Sequence, residues 1–247
     1  MNFMKLKDLV LNVLFPKICF GCGNGDCYLC EKCFRKFSLV DHQICPVCDR
    51  INDGEILCSR NGCRKMFCFD KLIVCLNYEK ESLLSKLIVN FKYNFIEELH
   101  FCLGEILITQ MNSQFGHYEG EKTLITFVPL HKKKFKERGF NQSELLAKYA
   151  AEKTGLKIFD CLDRPEFRRD QVSLSQKERL INLVDSIKVK KDFEELIQYK
   201  NIILIDDVAT TCSTLNECSK ALKKSGANKV YCIVLARGSF SDSIKEI

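Results

Sequence analysis

The chain has 247 residues, enough for one α/β domain with a smaller module beside it. Hydrophobic residues make up 46% and charged residues 28%, and no apolar run approaches the roughly 20 residues needed to cross a bilayer as a helix. A formal net charge of +6 permits an anionic partner without requiring one.

At the start of the chain, Phe3, Leu6, Leu9, Val10, Val13 and Leu14 share one face of a helix over residues 3–15. Asp8 and Asn12 interrupt the apolar run and no small-residue cleavage site follows, so the segment reads as an amphipathic helix docking on its own protein. The expected location is cytoplasmic.

Cysteine usage dominates the next stretch, where ten of the sixteen cysteines fall between Cys19 and Cys68. A disulfide scaffold needs an oxidising compartment and a redox dithiol needs one CxxC, whereas three in succession are how a chain wraps tetrahedral Zn²⁺. Residues 17–69 therefore read as a zinc-ribbon module, too poor in apolar residues to fold without a staple. The simplest pairing places Cys19, Cys22, Cys30 and Cys33 on one structural ion and Cys45, Cys48, Cys58 and Cys63 on a second. Cys27 and Cys68 are alternative ligands.

From Lys71 the pattern changes to alternating strands and helices: strands at 72–78 and 123–128, helices at 80–93, 96–112 and 143–154, and further strands near 184–189, 201–206 and 229–235. This order predicts a mostly parallel sheet flanked by helices, with a division into residues 1–70 and 71–247. Two charged loops interrupt it. Residues 128–142 carry Lys132, Lys133, Lys134, Lys136 and Arg138 against one acid, an anion-attracting surface with His131 at its start. Residues 164–182, with Arg179 near the end, have the character of a flap closing over a substrate or of a surface excursion.

The stretch Ile202 to Thr214 runs from four branched apolar residues into Asp206 and Asp207, then into Ala209, Thr210, Thr211, Cys212, Ser213 and Thr214 before an amphipathic helix. Ligands of parallel sheets bind beyond the carboxyl ends of the strands, and N–H groups at a helix N-terminus attract anions. Carboxylates suit sugar hydroxyls or bound Mg²⁺, and an amide-rich bend suits a phosphate; together they describe a sugar 5-phosphate site. The order resembles the phosphoribosyl-pyrophosphate (PRPP) motif of type I phosphoribosyltransferases.

With Val128-Pro129-Leu130-His131, Arg138-Gly139-Phe140-Asn141-Gln142, Gln171, Arg179, Asn182 and the closing Val234-Leu235-Ala236-Arg237, the chain resembles the ComF family. That resemblance implies a zinc-ribbon module followed by a type I phosphoribosyltransferase-like domain, and a role in uptake and processing of single-stranded DNA with other DNA-uptake proteins. It assigns the ribose hydroxyls to Asp206 and Asp207, directly or through Mg²⁺, and the 5-phosphate to residues 209–214. Pyrophosphate or a nucleic-acid backbone falls to His131, Lys132, Arg138 and Arg179, with Asp206, Asp207 and Arg138 the catalytic candidates if transfer occurs. The alternatives are an active phosphoribosyltransferase and a zinc-dependent scaffold with a decayed PRPP site. Thr210 stands where some purine-using relatives of the fold carry a third carboxylate, which disfavours that chemistry. Cys212 stands where most such motifs have glycine; a side chain there costs on the order of 1 kcal/mol if the position needs positive φ.

Overall fold

The computed structural model describes residues 16–52, 58, 62–116, 118–164 and 187–238. The helix expected over 3–15 and the excursion with Gln171, Arg179 and Asn182 lie outside these residues, as does most of the segment joining the last two cysteines of the second group.

Five parallel strands form the main sheet: β1 (Lys71–Asn77), β2 (Thr123–Phe127), β3 (Lys157–Ile158), β6 (Asn201–Ala209) and β7 (Lys229–Arg237), in the order β1-β7-β6-β2-β3. Two short strands, β4 (Leu162–Asp163) and β5 (Lys188–Val189), make a separate antiparallel pair. Strand alternation sends Ile203 and Ile205 of β6 to one face and Ile202 and Leu204 to the other, and both sets are buried. This double burial is why the apolar runs are continuous rather than alternating.

Helices cover both faces. On one lie α2 (Leu83–Tyr93), α3 (Leu99–Phe115) and α5 (Gln142–Thr154), contributing Leu87, Phe91, Leu103, Leu107 and Leu146 to the larger core. On the other lie the one-turn α6 (Glu194–Ile197), which buries Ile197, and α7 (Ser213–Lys224), which buries Leu215, Cys218 and Leu222. Ser82 caps α2 by accepting the Ser85 N–H at 3.2 Å. The approach of α3 to α5 depends on Gly104, where an added Cβ would stand 2.3 Å from the Tyr149 ring.

The cysteine-rich front, which includes the one-turn helix α1 (Glu31–Phe34), packs Phe20, Phe34, Phe37 and Leu39 against the larger core. It also meets the outermost strand: Gln43 is 4% exposed, and its amide accepts from Val74 N at 2.8 Å and donates to Val74 O at 3.2 Å. The observed architecture is thus the expected mostly parallel sheet between helices, preceded by two cysteine clusters.

Candidate functional site

Because every strand of the main sheet is parallel, β2, β6 and β7 open at one rim. Strand β6 outruns its apolar segment: β7 pairs with it as far as Ala209–Arg237, so both acids stand within the strand rather than after it. Ser143 Oγ donates to Asp206 Oδ1 at 2.7 Å, and the Asp207 N–H reaches the same oxygen at 2.9 Å. Asp207 is 7% exposed; its Oδ1 accepts the Val208 N–H at 2.6 Å and its Oδ2 lies 3.2 Å from Lys92 Nζ. Burial, and then the charge of Asp207, raise the Asp206 carboxyl above the usual carboxylate range. Burial pulls the Lys92 ammonium the other way, but the charges of Asp207 and Asp206 outweigh it and its pKa is raised.

Beyond Ala209 the chain bends with Thr210, Thr211 and Ser213 exposed. The Thr211 and Ser213 hydroxyls lie 2.8 Å apart, and Ser213 N–H points to Thr211 Oγ1 at 3.4 Å. Cys212 adopts φ 60°, ψ 10°, so the position does require the left-handed region that most such motifs give to glycine. Its side chain is 3% exposed, and burial pushes the thiol up to about 11, which makes it a packing residue and no thiolate nucleophile. Thr214 is half buried in the first turn of α7.

The basic stretch, expected as a loop, forms a short helix, α4 (Lys132–Arg138). His131 is its N-cap, with Nδ1 accepting the Lys133 N–H at 3.2 Å. Lys132, Lys133, Lys134 and Lys136 are exposed. The Lys134 pKa is lowered by partial burial and then by the positive charges of Arg138, Arg164 and Lys92, so these cations share one neighbourhood. Gly139 ends α4 at φ 73° and Phe140 buries against Phe91, with ring centroids 5.6 Å apart. Phe140 therefore gives no exposed aromatic to the basic surface.

The rest of that motif is structural glue for the rim. Asn141 caps α5 by accepting the Ser143 N–H at 3.1 Å, and its amide donates to Val128 O at 3.0 Å. Gln142, 1% exposed, donates to Phe91 O at 3.2 Å and accepts from Arg138 Nη1 at 3.3 Å. Arg138 stacks its guanidinium 5.2 Å from the centre of the Tyr93 ring. One pentapeptide thus ties the ends of β2, α2 and α4 together and delivers Ser143 to Asp206.

Three residues of this neighbourhood escaped the sequence reading: Lys92, Ser143 and Tyr93. Lys92 had a signal, since it continues the buried stripe of Leu84 and Ile88 at four-residue steps. Ser143 and Tyr93 had none, because their partners are distant in the chain.

The cysteines gather as the spacing predicts. In each of the groups Cys19, Cys22, Cys30, Cys33 and Cys45, Cys48, Cys58, Cys63, all four sulfurs lie within 4.8 Å of one another, so each could hold a metal ion. Against burial, the N–H groups of Cys30, Gly21 and Cys22 bring the Cys19 thiol down to about 6, whereas burial and the neighbouring cysteines push Cys33 of the same group up to about 12.

Among the described residues no helix is long and apolar enough to cross a membrane. No protein-family model matches the chain. It is similar to two large solved enzymes, of each of which it covers less than a third. These are an allosteric regulatory enzyme of purine biosynthesis (16% identity, TM-score 0.40, 59% of this chain and 29% of that one) and the glutamine PRPP amidotransferase of Bacillus subtilis (18%, 0.40, 59% and 30%). Among curated proteins it is 28% identical to competence protein F of Haemophilus influenzae, over 87% of this chain and 91% of that one. It is 26% identical to competence protein ComFC of Bacillus subtilis (80% and 79%) and to the DNA utilization protein YhgH of Escherichia coli K12 (90% and 97%). Similarity runs through most of both partners in each of these last matches, so the chain is similar along most of its length to competence proteins of the kind its motifs resemble.

Proposed function

We propose that this protein binds PRPP at the rim of the sheet and acts in competence-associated DNA uptake, handling imported single-stranded DNA in the cytoplasm. The observation that carries the reading is the continuity of Asp206 and Asp207 with a left-handed bend at Cys212 and the N-terminus of a 12-residue helix. In this reading the acids hold the ribose hydroxyls, residues 209–214 hold the 5-phosphate, and Arg138 with the α4 lysines faces the pyrophosphate or a nucleic-acid backbone. Mg²⁺ enters with the pyrophosphate. Each cysteine cluster holds a Zn²⁺ as a closed, all-thiolate structural site, which fits four convergent sulfurs. The names of the relatives support the competence role, and the rim geometry supports the ligand.

Calorimetry with PRPP and Mg²⁺ tests the ligand. The wild-type protein should bind, and Asp207→Asn should lose about tenfold or more in affinity; absence of heat with the wild type overturns the reading. For the DNA, binding of a single strand should weaken steeply with salt and disappear when the four α4 lysines and Arg138 are neutralised together. Salt-independent binding, or binding that survives those changes, removes DNA from the proposal.

A further inference from the structure

We infer that Lys92 is the resident counter-ion of the acid pair, so that the hydroxyls of a pentose phosphate are held there with no divalent cation between protein and sugar. This rests on the PRPP reading of the rim and specifies how the acids are charged.

The placement of Lys92 is difficult to explain otherwise. It extends the stripe of α2 that buries Leu84 and Ile88, both no more than 5% exposed, and its own side chain is only 19% exposed. An ammonium withdrawn from water costs several kcal/mol unless a charge answers it. Asp207 Oδ2 at 3.2 Å is that charge. The last turn of α2 assists, since the carboxyl end of a helix favours a cation, and Gln142 pins that turn through Phe91 O.

The acids are meanwhile arranged by neutral donors rather than by a metal-ready cage. Ser143 and the Asp207 N–H both address Asp206 Oδ1, and the Val208 N–H addresses Asp207 Oδ1. Among the described residues this leaves Asp206 Oδ2 as the carboxylate oxygen without a hydrogen-bond or ion-pair partner. Two acids beside one ammonium present at most a single negative charge to an incoming ion. A divalent cation chelated by both acids would be held by no more than that single charge while facing a largely buried ammonium. The donor set therefore does not fit a protein-held Mg²⁺ at the acids, whereas it fits a diol that accepts from Lys92 and donates to Asp206. Lys92 thus both contacts the diol and holds Asp207 in place.

The test uses ribose 5-phosphate, which carries the diol and the 5-phosphate but no pyrophosphate to bring its own metal. Calorimetry on the full chain is run in buffer without added divalent salt and again with Mg²⁺. Wild-type affinity should change by less than about twofold between the two. Lys92→Met should lose about tenfold without Mg²⁺ and recover most of it when Mg²⁺ fills the vacated place, and Lys92→Arg should stay near wild type. A purely structural lysine would not give rescue by Mg²⁺. The inference is overturned if wild-type binding of ribose 5-phosphate requires Mg²⁺, or if Lys92→Met binds as wild type does. Should Lys92→Met fail to fold by circular dichroism, the Mg²⁺ dependence of the wild type decides alone. A wild type that binds PRPP with Mg²⁺ but ribose 5-phosphate only with Mg²⁺ defeats the Lys92 role and spares the PRPP reading; one that binds neither defeats both.

Discussion

Around Cys19 to Cys33 the chain is backed by the large apolar core, whereas around Cys45 to Cys63 it is held to the rest of the molecule by polar ties. The two clusters share a plan. Cys19 N–H donates to Asn24 O at 2.8 Å and Gly23 N–H to Cys19 O at 2.9 Å, while Cys45 N–H donates to Arg50 O at 2.9 Å and Asp49 N–H to Cys45 O at 3.0 Å. The residue after the second cysteine of each knuckle lies at positive φ, Gly23 at 79° and Asp49 at 52°. What differs is the support. Phe20, Tyr28 and Phe34 carry the first knuckle's surroundings into the main core, and Gly21 sits so close that an added Cβ would meet Cys33 Sγ at 2.7 Å. The second cluster forms a small core of its own. Arg237, at the end of β7, donates from Nη1 to Asp49 Oδ1 and from Nη2 to Pro46 O, each at 3.2 Å, and Cys68 N–H donates to Asn216 Oδ1 at 2.7 Å. The same cysteine-knuckle device can thus be a buttress of the core or an appendage tied to the rim.

The sharpest way to break this comparison is to remove one ligand from each cluster. Cys33→Ser, at a fully buried position, should cost about 4 kcal/mol or more, because on the proposed reading a metal lost from that cluster also unseats core aromatics. Cys63→Ser should cost clearly less and leave the main unfolding transition near its wild-type temperature. Thermal unfolding with metal content by mass spectrometry reads both, and equal losses would abolish the distinction. A smaller effect should follow Arg237→Met. The side chain is 18% exposed, so its bonds to the second knuckle are worth about 1 kcal/mol. The second cluster should then surrender its metal to a chelator faster while the first releases at the wild-type rate; unchanged release from both would show that the Arg237 tie holds nothing.

The strands were legible because burial on both faces writes itself as runs such as Ile202–Ile205, and the cysteine grouping because knuckle spacing is a local property. Other features were hidden for physical reasons. Helix α4 has no apolar stripe, with no buried residue among its seven, so nothing in its periodicity separated it from a solvated loop. The end of β6 was misplaced by three residues because polarity stopped the apolar run at Ile205 while the ladder with β7 continued to Ala209. At the rim, the acids and the bend were visible as a contiguous string. Lys92, Ser143 and Arg237 reach their partners from elements more than 60 residues away in the chain, and only the assembled sheet brings them there.

Gln43 has a consequence for solubility. An outermost strand with bare amides invites another copy of the same molecule to add on, the first step toward ordered polymers. By handing Val74 both the donor and the acceptor that a sixth strand would have offered, one primary amide plugs β1 at its midpoint. The cysteine-rich front thereby serves the larger sheet as a stopper, whatever else it binds.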